Sequence, residues 1–200
     1  MQTVGILPWR GGGTYVHGGK RAFDLALVIC AAPLWVPLTC LLWFISWLEA
    51  GQGFYSEMRI GQSGHLFRCF KIRTMRRDTV RLCAAYKAKR DPRVTPFGRF
   101  LRCSSLDELP QLICVLRGEM SLVGPRPVPA VELTRYGARQ SQYLALRPGL
   151  TGLWQVSGRN ALPYAARVAL DARYGAQLSF LEDLRILRAT FSEVLRMSGR

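Results

Sequence analysis

Leu25–Leu48 is a run of 24 residues without a charged side chain and without a polar face. As one straight helix it would measure ~36 Å, enough to cross a ~30 Å hydrocarbon layer. Trp35, Trp43 and Trp47 add the ring chemistry of bilayer interfaces, and Lys20 and Arg21 stand just before the run. A buried helix of a soluble core is the alternative, which the length and the missing polar face disfavour. Pro33 and Pro37 lie four apart in its first half. Each deletes a helical hydrogen bond, which predicts a kink near Ala32–Pro37. Residues 1–19, with six glycines and no apolar periodicity, read as a flexible leader rather than a signal peptide. The chain thus divides into a leader (1–19), an apolar anchor (20–48) and a compact remainder (49–200).

In the remainder the pattern alternates between short strands and helices. Phe54-Tyr55 and Leu66–Ile72 have β character, with Gly61 and Gly64 at a hairpin-like turn. Thr79–Lys89 reads as a basic helix, Pro92 and Pro96 as a loop, and Phe97–Leu101 as a short amphipathic piece. Leu109–Leu116 is predicted helical, Ser121–Val123 a strand, Gly124-Pro125-Arg126-Pro127 a rigid turn and Val131–Leu146 a helix. Gly149–Arg159 reads as extended and turn-rich, and Tyr164–Tyr174 as helix. Leu181, Leu184, Leu187, Phe191, Val194 and Leu195 recur at helical spacing with Arg185, Arg188 and Arg196 among them, an amphipathic basic helix. The class is α/β (α+β).

Composition narrows this picture. At 49% hydrophobic and 20% charged, 200 residues make one ordinary domain, neither a disordered basic tail nor a multidomain synthase. The 28 Lys+Arg against 13 Asp+Glu give +15, which points to an anionic partner: nucleic acid, a membrane face or a phosphorylated small molecule. Positive charge flanks the apolar run on both sides, in conflict with a simple crossing. A re-entrant helix that bends at the prolines and returns to the same face removes the conflict; a single crossing with the leader outside is the alternative. Lys20, Arg21 and the arginines of the last helix are expected at anionic headgroups. Six scattered cysteines without a C-x-x-C pair, and only His17 and His65, disfavour zinc and fit a reducing compartment.

The reactive inventory therefore comes down to carboxylates, hydroxyls and basic groups, densest at Asp91–Gln111. There Asp107 and Glu108 form the one adjacent acidic pair, with Arg99 and Arg102 upstream and Arg117 and Arg126 downstream. Ser105-Leu106-Asp107-Glu108 matches a capping box, whereas Pro110 fits better at a first helical position with the pair just before the helix. Either register sets both carboxylates at the positive end of a helix dipole, which favours their ionised forms. An ionised carboxylate among arginines, where phosphate and Mg²⁺ gather, is a candidate phosphoryl acceptor; a plain helix cap is the competing reading.

From Lys20 onward the chain resembles the bacterial sugar transferase family, the monotopic polyprenyl-phosphate phosphoglycosyl transferases. The resemblance is carried by Lys-Arg-Ala-Phe-Asp-Leu (20–25), Lys-Ile-Arg-Thr-Met (71–75), Asp-Pro-Arg-Val-Thr (91–95), Ser-Leu-Asp-Glu-Leu-Pro-Gln (105–111), Arg-Gly-Glu-Met-Ser-Leu-Val-Gly-Pro-Arg-Pro (117–127), Arg-Pro-Gly-Leu-Thr-Gly-Leu-Trp-Gln-Val-Ser-Gly-Arg (147–159) and the Ser179, Asp183, Thr190 tail. It implies a compact cytoplasmic domain on a proline-kinked, re-entrant membrane helix with interfacial amphipathic helices, at the cytoplasmic face of a bacterial inner membrane.

The activity it implies is transfer of a sugar 1-phosphate from a UDP-sugar to a polyprenyl phosphate, the initiating step of exopolysaccharide or O-antigen assembly. Asp107 is then the nucleophile that expels UMP and a ligand of Mg²⁺, with Glu108 as base or metal-site partner. Lys71, Arg102, Arg126 and Arg159 are the implied phosphate contacts, and Asp183 a further acidic position in the substrate set. Membrane lipids are implied partners, nucleic acid is not, and a homo-oligomer stays open. The chain departs from the family at Cys114, Glu119, Glu57 and Ile72, of which Cys114 and Glu57 fall near the active motifs. It reads as a minimal form, without the additional N-terminal membrane helices of larger members. A tethered basic module that binds nucleic acid or lipid, and a catalytically inert scaffold, are the competing functions.

Overall fold

The computed structural model describes residues 14–76, 91 and 93–196. The first 13 residues of the leader, the basic helix expected at Thr79–Lys89 and Pro92 lie outside the described residues.

After a π-helical turn at Tyr15–Gly19, the apolar run folds as two helices, α1 (Lys20–Cys30) and α2 (Ala32–Ala50). The break falls at Ala31, just before the stretch where the prolines predicted it. Pro33 stands in the first turn of α2, where its missing N–H costs nothing, and Pro37 is carried inside the helix. At the break Val28 O takes the indole N–H of Trp35 at 3.0 Å in place of a helical donor. Among the described residues α2 is the one helix long and apolar enough to cross a membrane, by length and composition. Leu34, Leu41, Phe44, Trp47 and Leu48 face outward along it.

Lys20 and Arg21 turn inward, not toward headgroups. Lys20 Nζ lies 2.5 Å from Asp183 Oδ2, and Arg21 donates to the last carbonyls of α4 (Leu112–Arg117), Val115 O at 2.5 Å and Leu116 O at 2.9 Å. The anchor is thereby fastened to the domain by charge at its first turn.

β1 (Phe54–Ile60) and β2 (Leu66–Ile72) pair antiparallel around the predicted glycine turn, with Tyr55 opposite Lys71. The period of two puts Phe67, Cys69 and Lys71 on one face of β2. Phe67 and Cys69 are buried in the core, which leaves Lys71 at its edge. A second pair, β3 (Ser121–Val123) and β4 (Gly149–Thr151), is parallel. Its backbones approach closely: a Cβ on Gly149 would stand 2.1 Å from Gly124 N. Two glycines are therefore required where the strands meet.

The crossover between β3 and β4 is not the continuous helix expected at Val131–Leu146. It breaks into α5 (Ala130–Leu133), a 3₁₀ turn (Thr134–Arg139) and α6 (Gln140–Leu144), because Gly137 takes φ +52, ψ −128 inside it. α3 (Pro96–Ser104) starts at Thr95, whose Oγ1 accepts from Gly98 N at 2.9 Å. α7 (Leu153–Val156), α8 (Tyr164–Ala176) and α9 (Phe180–Leu195) complete the chain. Val115, Met120, Val123, Tyr174 and Ile186 are fully buried at the centre, where α1, α4, α8 and α9 close over the small sheets. α9 seats Asp183 and Ile186 inward and leaves Leu181, Phe191 and Leu195 exposed among its arginines.

Candidate active site

Between Ser105 and Leu112 the chain forms neither a capping box nor an α-helix. Ser105 takes φ +60 without a side-chain hydrogen bond, and Leu106–Gln111 winds as a 3₁₀ turn that contains Pro110 and leads into α4. This turn carries Asp107 and Glu108, and β2 packs against it, bringing Lys71 from the core edge to Glu108.

The turn faces a cavity of about 860 Å³ lined by Lys71, Arg102, Asp107, Glu108, Arg126 and Arg159. Six of the seven residues expected at the site thus share one cavity. Glu108 Oε1 accepts from Lys71 Nζ at 2.5 Å and from an Arg126 terminal nitrogen at 2.8 Å. Arg102 donates through Nε to Thr74 Oγ1 at 2.8 Å, which leaves its terminal nitrogens to the cavity. Arg159, held at φ +49 after Gly158, donates through Nε to Gln155 O at 3.2 Å. Asp107 is 8% exposed, and among the described residues nothing donates a hydrogen bond to its carboxylate.

The seventh residue, Asp183, is elsewhere. It is fully buried, its carboxylate taken by Tyr15 at 2.6 Å, Lys20 at 2.5 Å and Tyr174 at 2.7 Å, so it ties α9 to the anchor and does not line the cavity. Of the departures from the family pattern, Glu57 lines the cavity beside Arg59, whereas Cys114 is buried in the core and points to Arg68 O. Sequence reasoning missed Thr74, Tyr136, Trp154 and Arg167 in the cavity wall. Thr74 was within reach, since it stands in the same Lys-Ile-Arg-Thr-Met block as Lys71.

The two acids are shifted in opposite directions, not alike as a common helix dipole would have them be. Burial, reinforced by the neighbouring Glu108, pushes the Asp107 carboxyl up to about 6 against the pull of Lys71 and Arg102. Burial also acts on Glu108, but Arg126 and Lys71 overturn it and hold that carboxyl at about 2. Held between Lys71 and Arg126, Glu108 is the post between two cations. Arg126 is raised in turn by Glu108. The pair therefore comprises one acid engaged by two cations through a single oxygen and one acid without a donor among the described residues, facing guanidinium and ammonium groups that suit a phosphate-bearing substrate.

A carboxylate pair of this kind, in a basic cleft beside a long apolar helix, defines a candidate group-transfer site for phosphorylated substrates. The chain belongs to the bacterial sugar transferase family, whose model matches residues 15–197. It is 43% identical over 215 residues to the exopolysaccharide production protein ExoY of Sinorhizobium fredii, covering 98% of this chain and 95% of that one. It is 41% identical over 195 residues to the undecaprenyl-phosphate galactose phosphotransferase of Salmonella typhimurium, covering 90% of this chain but only 41% of that one. The UDP-glucose:undecaprenyl-phosphate glucose-1-phosphate transferase of Caulobacter vibrioides is 39% identical over 187 residues, 88% of this chain and 69% of that one.

Proposed function

We propose that this protein transfers a sugar 1-phosphate from a UDP-sugar to a polyprenyl phosphate through a covalent phosphosugar on Asp107. The observation that carries the reading is the open carboxylate of Asp107, buried in the cavity wall without a donor among the described residues, while Glu108 beside it is clamped by Lys71 and Arg126. The family match and the names of the Salmonella and Caulobacter relatives support a hexose donor and undecaprenyl phosphate as acceptor.

In the first half-reaction an Asp107 oxygen attacks the phosphorus that bears the sugar. The bond from that phosphorus to the oxygen bridging the two phosphates breaks, and UMP leaves with that oxygen. In the second, an oxygen of the polyprenyl phosphate attacks the same phosphorus, the bond to Asp107 breaks, and the carboxylate is regenerated. Arg102 and Arg126 stabilise the charge that spreads over the phosphoryl oxygens, Glu108 holds Arg126 and Lys71 in place, and Arg159 in the cavity wall contacts the donor. Covalent capture lets the soluble donor depart before the lipid arrives, so one cavity serves both.

Among the described residues no cluster of three or more His, Cys, Asp or Glu gathers here; the Asp107 carboxylate, without a partner among those residues, suits Mg²⁺, which is commonly held by one or two carboxylates with the remaining ligands from phosphates and water. Asp107 would bind it, and the ion supplies neutralisation of the diphosphate charge. The apolar α1–α2 pair is read as a re-entrant anchor, bent at Ala31, that keeps the domain on the cytoplasmic face of the inner membrane where it meets the lipid acceptor. The division into leader (1–19), anchor (20–48) and catalytic domain (49–200) belongs to the same proposal.

Purified protein given UDP-sugars without lipid should release UMP in a stoichiometric burst and show a mass increase of one phosphosugar on the peptide that contains Asp107. Full UMP release by Asp107→Asn would overturn the reading.

A further inference from the structure

Arg126 reaches Glu108 from a loop whose Pro127 carbonyl accepts from Arg59 at 3.0 Å. Pro125 and Pro127 flank it, and neither has an N–H to donate. Upstream the loop is held by backbone, Gly124 N to Thr151 O at 2.8 Å and Gly149 N to Pro125 O at 2.7 Å. Downstream, the hydroxyl of Tyr143 on α6 stands at the meeting point of three backbone groups. It accepts from Val128 N at 3.1 Å, and lies 3.1 Å from Ile60 O and 3.3 Å from Arg126 O, with one proton to give between them. Ile60 N in turn donates to Val128 O at 3.0 Å, so the hydroxyl joins the end of β1 to the loop on both sides of Arg126.

Tyr143 is 3% exposed and does not line the cavity. Its ring packs 4.8 Å from that of Tyr136, whose own hydroxyl donates to the buried Asp171 at 2.8 Å. The ring is thus fixed from behind and the hydroxyl is fixed in front. Water cannot replace a hydroxyl so enclosed without opening the cluster around it.

We infer that Tyr143 is the positioning residue for Arg126: its hydroxyl sets the Pro-Arg-Pro loop at the height where Arg126 meets Glu108 and the donor phosphate. The inference rests on the proposed function, because it takes Arg126 as a phosphate contact. It assigns work to α6, which the reaction otherwise does not use. Displacement of a phosphate contact by about 1 Å costs up to ~10²-fold in rate.

The test is a double-mutant cycle on UMP release by the full-length protein with UDP-sugar, combining Tyr143→Phe with Arg126→Ala. Tyr143→Phe alone should lower kcat/KM ~10–10²-fold, and should cost less than twofold once Arg126 is already alanine. Its effect on Tm should be the same in both backgrounds, which separates positioning from a general loss of stability. Where Tyr143→Phe melts below the assay temperature, 4-aminophenylalanine at 143 takes its place in the cycle, since it keeps a donor and loses most of the acceptor. Equal losses in the two backgrounds would overturn the positioning role and leave the proposed function standing. Wild-type activity in Arg126→Ala would instead overturn the phosphate-contact reading on which the inference rests.

Discussion

Asp107 and Asp183 are both buried carboxylates in a chain of net charge +15, and both stand beside cations. They differ in what donates to them. Asp183 accepts from two tyrosine hydroxyls and an ammonium group, which engage both of its oxygens and join three parts of the fold. Asp107 accepts from nothing among the described residues and opens onto the cavity. Nearby positive charge therefore does not separate a structural acid from a reactive one; unfilled hydrogen-bonding capacity does. A weaker form of the contrast recurs within the dyad, where Glu108 is engaged by Lys71 and Arg126 through one oxygen and its neighbour has no donor among the described residues.

The contrast breaks if the two aspartates respond alike to amidation. Asp107→Asn removes the proposed nucleophile, and UMP release should fall by at least ~10³-fold. Its Tm should hold or rise, because a buried acid without donors disfavours its own ionised form. Asp183→Asn should do the reverse. It strands Lys20 against a neutral amide in the interior, a loss on the order of 3–5 kcal/mol by thermal or urea unfolding. The fraction that remains folded should release UMP within about threefold of wild type. Similar loss of turnover and stability in both variants would refute the distinction between open and saturated acids.

Glu108→Gln sharpens the comparison from inside the cavity. It leaves Lys71 and Arg126 near each other without the anion that both contact. UMP release should drop ~10–10²-fold, with a larger change in kcat than in KM, since the cations lose orientation rather than presence. A loss as deep as that of Asp107→Asn would assign Glu108 to the chemistry itself.

How far the sequence could see follows the same line. The Asp107–Glu108 pair, Lys71, Arg102, Arg126 and Arg159 were legible because each stands in an ordered block of motif, and the fold brings all six to one cavity. The strands and most helices were legible from period and turn residues, as with Leu66–Ile72. What escaped depends on partners far away in the chain. Asp183 finds Lys20 and Tyr15 across more than 160 positions, and no local pattern distinguishes it from a substrate contact. The helix break was expected at the prolines but falls at Ala31, where Trp35 reaches back to Val28 O. Cys114, close in sequence to the dyad, points the other way because α4 turns it into the core.

The smallest expected effect concerns a carboxylate between the two extremes. Among the described residues Asp171 is buried with Tyr136 as its one donor, which burial makes insufficient, and its carboxyl is pushed up to about 7. The folded protein therefore keeps a proton that the unfolded chain, with an ordinary Asp near 3.8, gives up. That proton binding stabilises the fold fully below about pH 4, and the contribution declines as pH rises toward about 7, with a slope of at most ~1.4 kcal/mol per pH unit from this one group. Asp171→Asn should flatten that portion of a stability profile measured by urea unfolding between pH 4 and 7, while the turnover of the folded enzyme stays within about threefold. An unchanged slope in the variant would show that one tyrosine hydroxyl is enough to keep a buried carboxylate ionised here. The order from saturated to open acids would then depend on whether any donor is present, not on how many there are.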